Sequence, residues 1–302
     1  MDGLKPAPAP DAGSVPAAAG TSINPTADEA AVAQSRFLAR LPKFAVLRFT
    51  GDDAGEFLHG QLTCDVKSLQ DAGRSSYGAY CSAKGRILAS FLLWQHEGNW
   101  FMALPGDIAP AIHKRLGMFV LRAKVRITLL DDMLLTGICS PEGVSFLPAK
   151  TSDIDHTFVH WAGGVALTLP GKRWIVACNT AQAQALWAEA DTQWLRTSSA
   201  AWERQDILLG IPWITAPTQE QFVPQMVNLE LIGGVSFKKG CYPGQEIVAR
   251  TQYLGKVKRR MFLARCAAPV SAGMPLCSEN VDGQVNGMVV NAVPDGNGGS
   301  LL

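Results

Sequence analysis

A chain of 302 residues with 27 Lys and Arg against 26 Asp and Glu has a formal charge of +1. No net field draws it to nucleic acid or to an anionic membrane, so an anionic ligand has to be held by a local basic cluster. Its 47% apolar and 18% charged residues exclude a disordered chain and suit a globular protein of two or three domains.

Residues 1–26 are rich in Pro, Ala and Gly and read as a disordered tail. The N-terminus has an acid at its second position and lacks the basic and apolar stretches of a secretory signal. The longest apolar run, Ile87 to Trp94, has strand length and is too short to span a bilayer. A cytoplasmic protein without membrane segments is the expectation. TADEAAVAQSRFLARL reads as a helix and FAVLRFTG as a strand. Asp53 and Glu56, three apart ahead of Phe57, Leu58 and Leu62, resemble a capping box. The runs GRILASFLLWQ and WFMALP, separated by His96-Glu97-Gly98-Asn99, predict a hairpin. In DIAPAIHKRLGMFVL, Ile108, Ile112, Leu116 and Phe119 share a helical face, with Asp107 as N-cap and Pro110 in the first turn. Strands follow at VRITLL, MLLTGICS, VALTLP and RWIVAC, with helices at TAQAQALWAEA and AAWERQDILLG, the last stopping at Gly210. Helices that close strand runs without regular alternation point to an α+β fold. Residues 27–255 form the main region. From 256 to 302, short strands and Gly-rich turns suggest a small C-terminal β-barrel, and GNGGSLL stops where a last strand would begin, as in a truncated chain.

The seven cysteines, at 64, 81, 139, 178, 241, 266 and 277, stand singly. No spacing among them suits a metal site, and the scatter fits a reducing compartment better than a disulfide framework. His156 and His160 have no third ligand nearby and read as structural. The chemistry concentrates in FKKGCYPGQEIVARTQYLGKVKRR. Gly240 and Gly244 bracket a Cys-Tyr-Pro turn, and a helix starts at Gln245, with Ile247, Thr251 and Leu254 facing inward and Glu246 paired to Arg250. Cys241 thus precedes a helix N-terminus and follows Lys238 and Lys239, an environment that favours a reactive thiolate. The lysines also read as a solvated surface pair. The tract KVKRR reads as a solvated strand face that could attract an acidic ligand tail.

KKGCYPGQEIVART resembles the K-G-C-Y-x-G-Q-E signature of the YgfZ family. The similarity extends to FTGDDAGEFLHGQLTCDV, CSAKGRI and FVPQMVNLELIGGVSFKKGC. The resemblance implies a fold like that of the glycine-cleavage T-protein, with ferredoxin-like subdomains around a central hole that holds tetrahydrofolate or a one-carbon derivative. It also implies a role in iron–sulfur cluster assembly or repair, and thereby in tRNA modification. Lys239 and Cys241 match the family's functional lysine and cysteine, while Gly240, Tyr242, Gly244, Gln245 and Glu246 complete the motif. Trp202 and Phe44 take the positions of folate-binding tryptophans, and Arg250 belongs to the same candidate site. Similar T-proteins carry an Asp-Asp pair where Ala89 and Ser90 stand, and a second acid where Leu208 stands. The implied partners are folate and Fe–S client or assembly proteins, with no direct nucleic-acid contact and a monomeric chain. Two other readings stay open: a folate-dependent one-carbon transferase acting on a small amine, and a non-catalytic folate-sensing adaptor.

Overall fold

The structure is a computed structural model that describes residues 4–6, 36–144, 147, 155–161, 164–189, 194–255, 257–278 and 285–302. Its centre is two sheets packed face to face. The first holds five antiparallel strands in the order β4 (Ser75–Cys81), β5 (Ile87–His96), β6 (Asn99–Pro105), β3 (Phe44–Thr50) and β7 (Arg126–Leu130). One face, carrying Leu47, Phe91 and Leu93, is covered by α1 (Ala54–Gln61) and α2 (Ala109–Gly117) through Leu58, Ile112 and Leu116. The other presents Tyr77, Leu92 and Trp94 to the second sheet. Both faces are covered, and this is why Ile87 to Trp94 is an unbroken apolar run, buried throughout.

The second sheet runs β12 (Leu195–Thr197), β2 (Phe37–Arg40), β8 (Met133–Cys139), β11 (Arg173–Asn179), β10 (Gly164–Leu169) and β9 (Phe158–Trp161). Phe37, Leu135, Leu167 and Ile175 meet the first sheet. Trp161, Trp174 and Val176 pack with Leu186 of α3 (Thr180–Glu189) on the far side. Layers of helix, sheet, sheet and helix are the expected α+β arrangement.

Several local expectations need correction. Residues 37–40, read as helix, are strand β2, which pairs antiparallel with β8 and parallel with β12. Burial of Phe37, Leu38 and Ala39 outweighs local helix propensity there; residues 26–35 of that predicted helix lie outside the described ones. Helix α1 starts as expected, but Asp53 makes no capping bond to its own helix and instead accepts from the Lys124 backbone N–H at 2.7 Å. Asp107 does not cap α2 either: Ile108 stands at the cap, and the carboxylate accepts from the Ala216 N–H at 2.8 Å. Phe119, beyond the end of α2, is exposed.

Of the expected tail, only Leu4–Pro6 (β1) lies among the described residues, paired with β14 (Pro275–Ser278). The expected C-terminal barrel is not closed among the described residues. β1, β14 and β15 (Val285–Met288) form one three-stranded sheet, and β13 (Arg265–Cys266), β17 (Ser300–Leu301) and β16 (Val293–Pro294) form another. Residues 257–264 adopt no strand, and strands of two to four residues leave two small sheets rather than a closed wall.

Candidate functional site

The segment that follows α4 (Ser199–Leu208) leaves the helix at Gly210 and passes the N-terminal half of β5. Ser90 on that strand holds it on both sides of Trp213. The Ser90 hydroxyl donates to the Pro212 carbonyl at 2.8 Å and accepts the Ile214 N–H at 2.9 Å. Asn291 pairs with the Trp213 backbone in both directions, at 2.9 and 2.8 Å. The indole N–H of Trp213 donates to Asp206 at 2.8 Å, and the other Asp206 oxygen accepts from Arg173 at 2.6 Å. Arg173 and Asp206 are both fully buried. Burial pushes the Asp206 carboxyl above its usual range, against the pull of Arg173 and the Trp213 N–H. Both oxygens face donors, an arrangement that suits a carboxylate.

This framework walls a cavity of about 460 Å³. Phe44 and Trp213 pack edge to face in its wall, their centroids 4.7 Å apart at 79°, and Pro42, Pro105, Ile207 and Ile211 add to the apolar surface. Glu203, Asp206, Lys43 and Asp107 supply its charged groups, and Thr215, Ser271 and Asn291 are polar. One oxygen of Glu203 accepts from Lys43 at 2.9 Å. The other is buried with no hydrogen-bond partner among the described residues. A buried, unsatisfied carboxylate oxygen beside an aromatic pair fits a flat heterocycle that presents N–H donors at its edge, and the pterin of a folate is such a ring. A second cavity, of about 880 Å³, shares Ile207, Ile211 and Asn291 with the first and is lined by Lys258, Arg259 and Arg260.

The expected site residues fall in three places. Phe44 lines the aromatic cavity. Trp202 does not: it is 1% exposed, in the core between the sheets, with the Arg173 guanidinium 4.6 Å over its ring. A Cβ on Gly137 of β8 would meet that ring at 2.3 Å, so the indole lies flat on the sheet. The third group is the signature loop, which lines neither cavity. Thr63 ties it down, donating to the Gly234 carbonyl at 2.6 Å and accepting the Ser236 N–H on its backbone oxygen at 2.9 Å. The Lys239 ammonium reaches the His59 and Leu62 carbonyls at the C-terminal end of α1 and lies 4.9 Å from the Tyr242 ring centroid. Oriented carbonyls there complement a cation. Burial brings its pKa down to about 8, opposed by Cys64, Asp65 and Cys241 nearby.

Gly244 has φ +80° and caps α5 (Gln245–Tyr253); a Cβ there would stand 2.4 Å from the Ser82 carbonyl oxygen. Cys241 is exposed, whereas Cys64, Cys81, Cys139, Cys178 and Cys266 are buried and Cys277 is half-buried. Burial pushes the Cys64 and Cys81 thiols up to about 12. The inward face of α5 is Val248, not Ile247 and Leu254, which are exposed. Glu246 and Arg250 are both exposed and form no ion pair with each other. Trp213, Asp206, Glu203 and Arg173 were not singled out from the sequence; only the tryptophan beside the helix stop, in Gly210-Ile211-Pro212-Trp213, offered a local signal. Among the described residues no group of three or more His, Cys, Asp or Glu is placed to hold a metal ion, and no helix is long and apolar enough to cross a membrane.

Two back-to-back sheets with outer helices, small C-terminal sheets and a cavity where they meet define a T-protein-like fold. The chain superposes on the aminomethyltransferase T of the glycine cleavage system from Bartonella henselae with a TM-score of 0.72, covering 91% of this chain and 80% of that one at 16% identity. No protein-family model matches. Among curated proteins, the chain is similar to the "tRNA-modifying protein YgfZ" of Vibrio vulnificus, 35% identical over 233 residues, which span 77% of this chain and 71% of the relative. The protein of the same name from Photobacterium profundum is 34% identical over 230 residues, 75% of this chain and 69% of that one. The chain belongs to the YgfZ family.

Proposed function

We propose that this chain binds a reduced folate, tetrahydrofolate or one of its one-carbon derivatives, in the Phe44–Trp213 cavity. Through Cys241 it supports assembly or repair of iron–sulfur clusters in other proteins, and by that route tRNA modification. The observation that carries the reading is the aromatic pair set against the unpartnered Glu203 oxygen. The Phe44–Trp213 pair would pack against the pterin from one side, and Glu203 would accept from its amino edge. Asp206, braced by Arg173, keeps the Trp213 indole in place. A bound folate supplies a one-carbon unit, or accepts one, at its ring nitrogens. The relatives' name supports the tRNA-modification part, and the exposed cysteine near the half-buried Lys239 supports a reactive thiol.

The transferase reading is less well supported. The strand that matches the T-protein acid pair has Ala89, fully buried, and Ser90, whose hydroxyl is committed to the Trp213 segment. The experiment is a tetrahydrofolate titration of wild type, Glu203→Gln and Cys241→Ala, with the same variants tested for rescue of an Fe–S enzyme in cells. Weakened binding in the first variant, with retained binding and lost rescue in the second, is expected. Full rescue by Cys241→Ala would favour the adaptor, and absence of folate binding by wild type would overturn the reading.

A further inference from the structure

The second cavity has a chemistry that the aromatic one lacks. Folates end in a p-aminobenzoyl glutamate, and the cationic group that lines the aromatic cavity, Lys43, is already paired with Glu203, so that cavity offers the carboxylate tail no free cation. The adjoining cavity begins at the same Ile207–Ile211 turn and the same Asn291. Its wall carries Lys258 and Arg259, both exposed, and neither takes part in an ion pair among the described residues. Arg260 between them and the core is already committed: it donates to the Gln225 carbonyl at 3.2 Å, to Asn228 at 3.0 Å and to Glu230 at 2.5 Å. It fixes the tract and leaves its two neighbours available. Met261, Phe262 and Leu276 give the same cavity apolar surface. On a chain of formal charge +1, such a local cluster is what an anionic group requires.

We propose that Lys258 and Arg259 form a subsite for the folate's anionic tail, and that this chain prefers folates bearing several γ-linked glutamates to the single-glutamate form. The inference rests on the folate reading above and names the form of that ligand. Each added glutamate contributes one further carboxylate to the basic wall. Exposed pairs of this kind are individually weak, so two of them correspond to a gain of about three- to tenfold in affinity. Screening makes that gain sensitive to salt.

The test compares tetrahydropteroyl-monoglutamate with tetrahydropteroyl-triglutamate by fluorescence titration at low and high salt, on wild type, Lys258→Gln/Arg259→Gln and Lys258→Glu/Arg259→Glu. Melting curves check that each variant folds. The expected result is tighter binding of the triglutamate by wild type at low salt, a gap that closes at high salt and in the neutral variant, and a reversed preference in the acidic variant. Monoglutamate affinity should fall less than triglutamate affinity in the neutral variant. Equal affinity of wild type for the two ligands, or a gap that survives neutralisation, overturns the subsite and leaves folate binding standing. Failure of wild type to bind either ligand overturns both.

Discussion

Two tryptophans separate binding from packing. Trp213 presents its ring to the cavity while its N–H is held by Asp206, so Trp213→Ala is expected to weaken tetrahydrofolate by about 1–3 kcal/mol, read by titration. Trp202 lies in the core under Arg173. Trp202→Ala should instead cost about 3–5 kcal/mol of folding stability, read by denaturant melts, and an unchanged midpoint would contradict its core position. Among the seven cysteines, Cys241 should label fastest with iodoacetamide at neutral pH, because five of the others are buried; mapping by mass spectrometry decides this, and faster labelling of Cys277 would count against it. Lys239 makes a pH prediction. Its amine titrates at about 8 when folded against an ordinary 10.5, so between those values the unfolded chain binds more protons and stability rises with pH. Lys239→Gln should lose that rise, as melting curves of both proteins from pH 7 to 10 would show. Trp202 matched a family position and was read as a ligand contact; its burial beneath Arg173, 29 residues before it in the chain, has no local sequence signal.

At the scale of elements, periodicity and turn chemistry located most strands and helices, and errors arose where a distant partner decided. The β5–β6 hairpin is legible because Glu97 (φ 48°) and Gly98 (φ 73°) join His96 to its partner Asn99 in the left-handed pair that matches strand twist. The α5 boundary is legible from Gly244, but its inward face is not. The helix packs Val248 into a cluster with Ile214 and Val227, neither of them near it in sequence. Gly244→Ala combines left-handed backbone with a close approach to the Ser82 oxygen. It should cost about 2–4 kcal/mol, measured by chemical denaturation, and raise exposure of the signature loop to proteolysis. A neutral effect would mean that the loop yields easily. The carboxylates of Asp53 and Asp107 were read as helix caps; each has left its own helix for a backbone N–H on another segment, a choice that local spacing cannot express.

For the whole molecule, a T-protein-like fold is not by itself a reason to expect T-protein chemistry. Ser90 now holds the Trp213 segment, so a reconstituted glycine-cleavage assay with a lipoyl carrier should give no aminomethyl transfer; robust turnover would restore the transferase reading. Ser90→Asp should cost stability rather than confer activity, because a carboxylate at that buried position cannot donate to the Pro212 carbonyl. The α+β class, the order of most elements, the signature loop and the family were all determined by the sequence alone, because apolar period, glycine position and a contiguous motif are local properties of a chain. The cavity was decided only by the tertiary structure. Phe44, Glu203, Asp206, Trp213 and Asn291 come from four separate segments, and the bonds that align them, from Ser90 and Arg173, span 122 and 33 residues. No periodicity links such positions; packing the two sheets together brings them to one point.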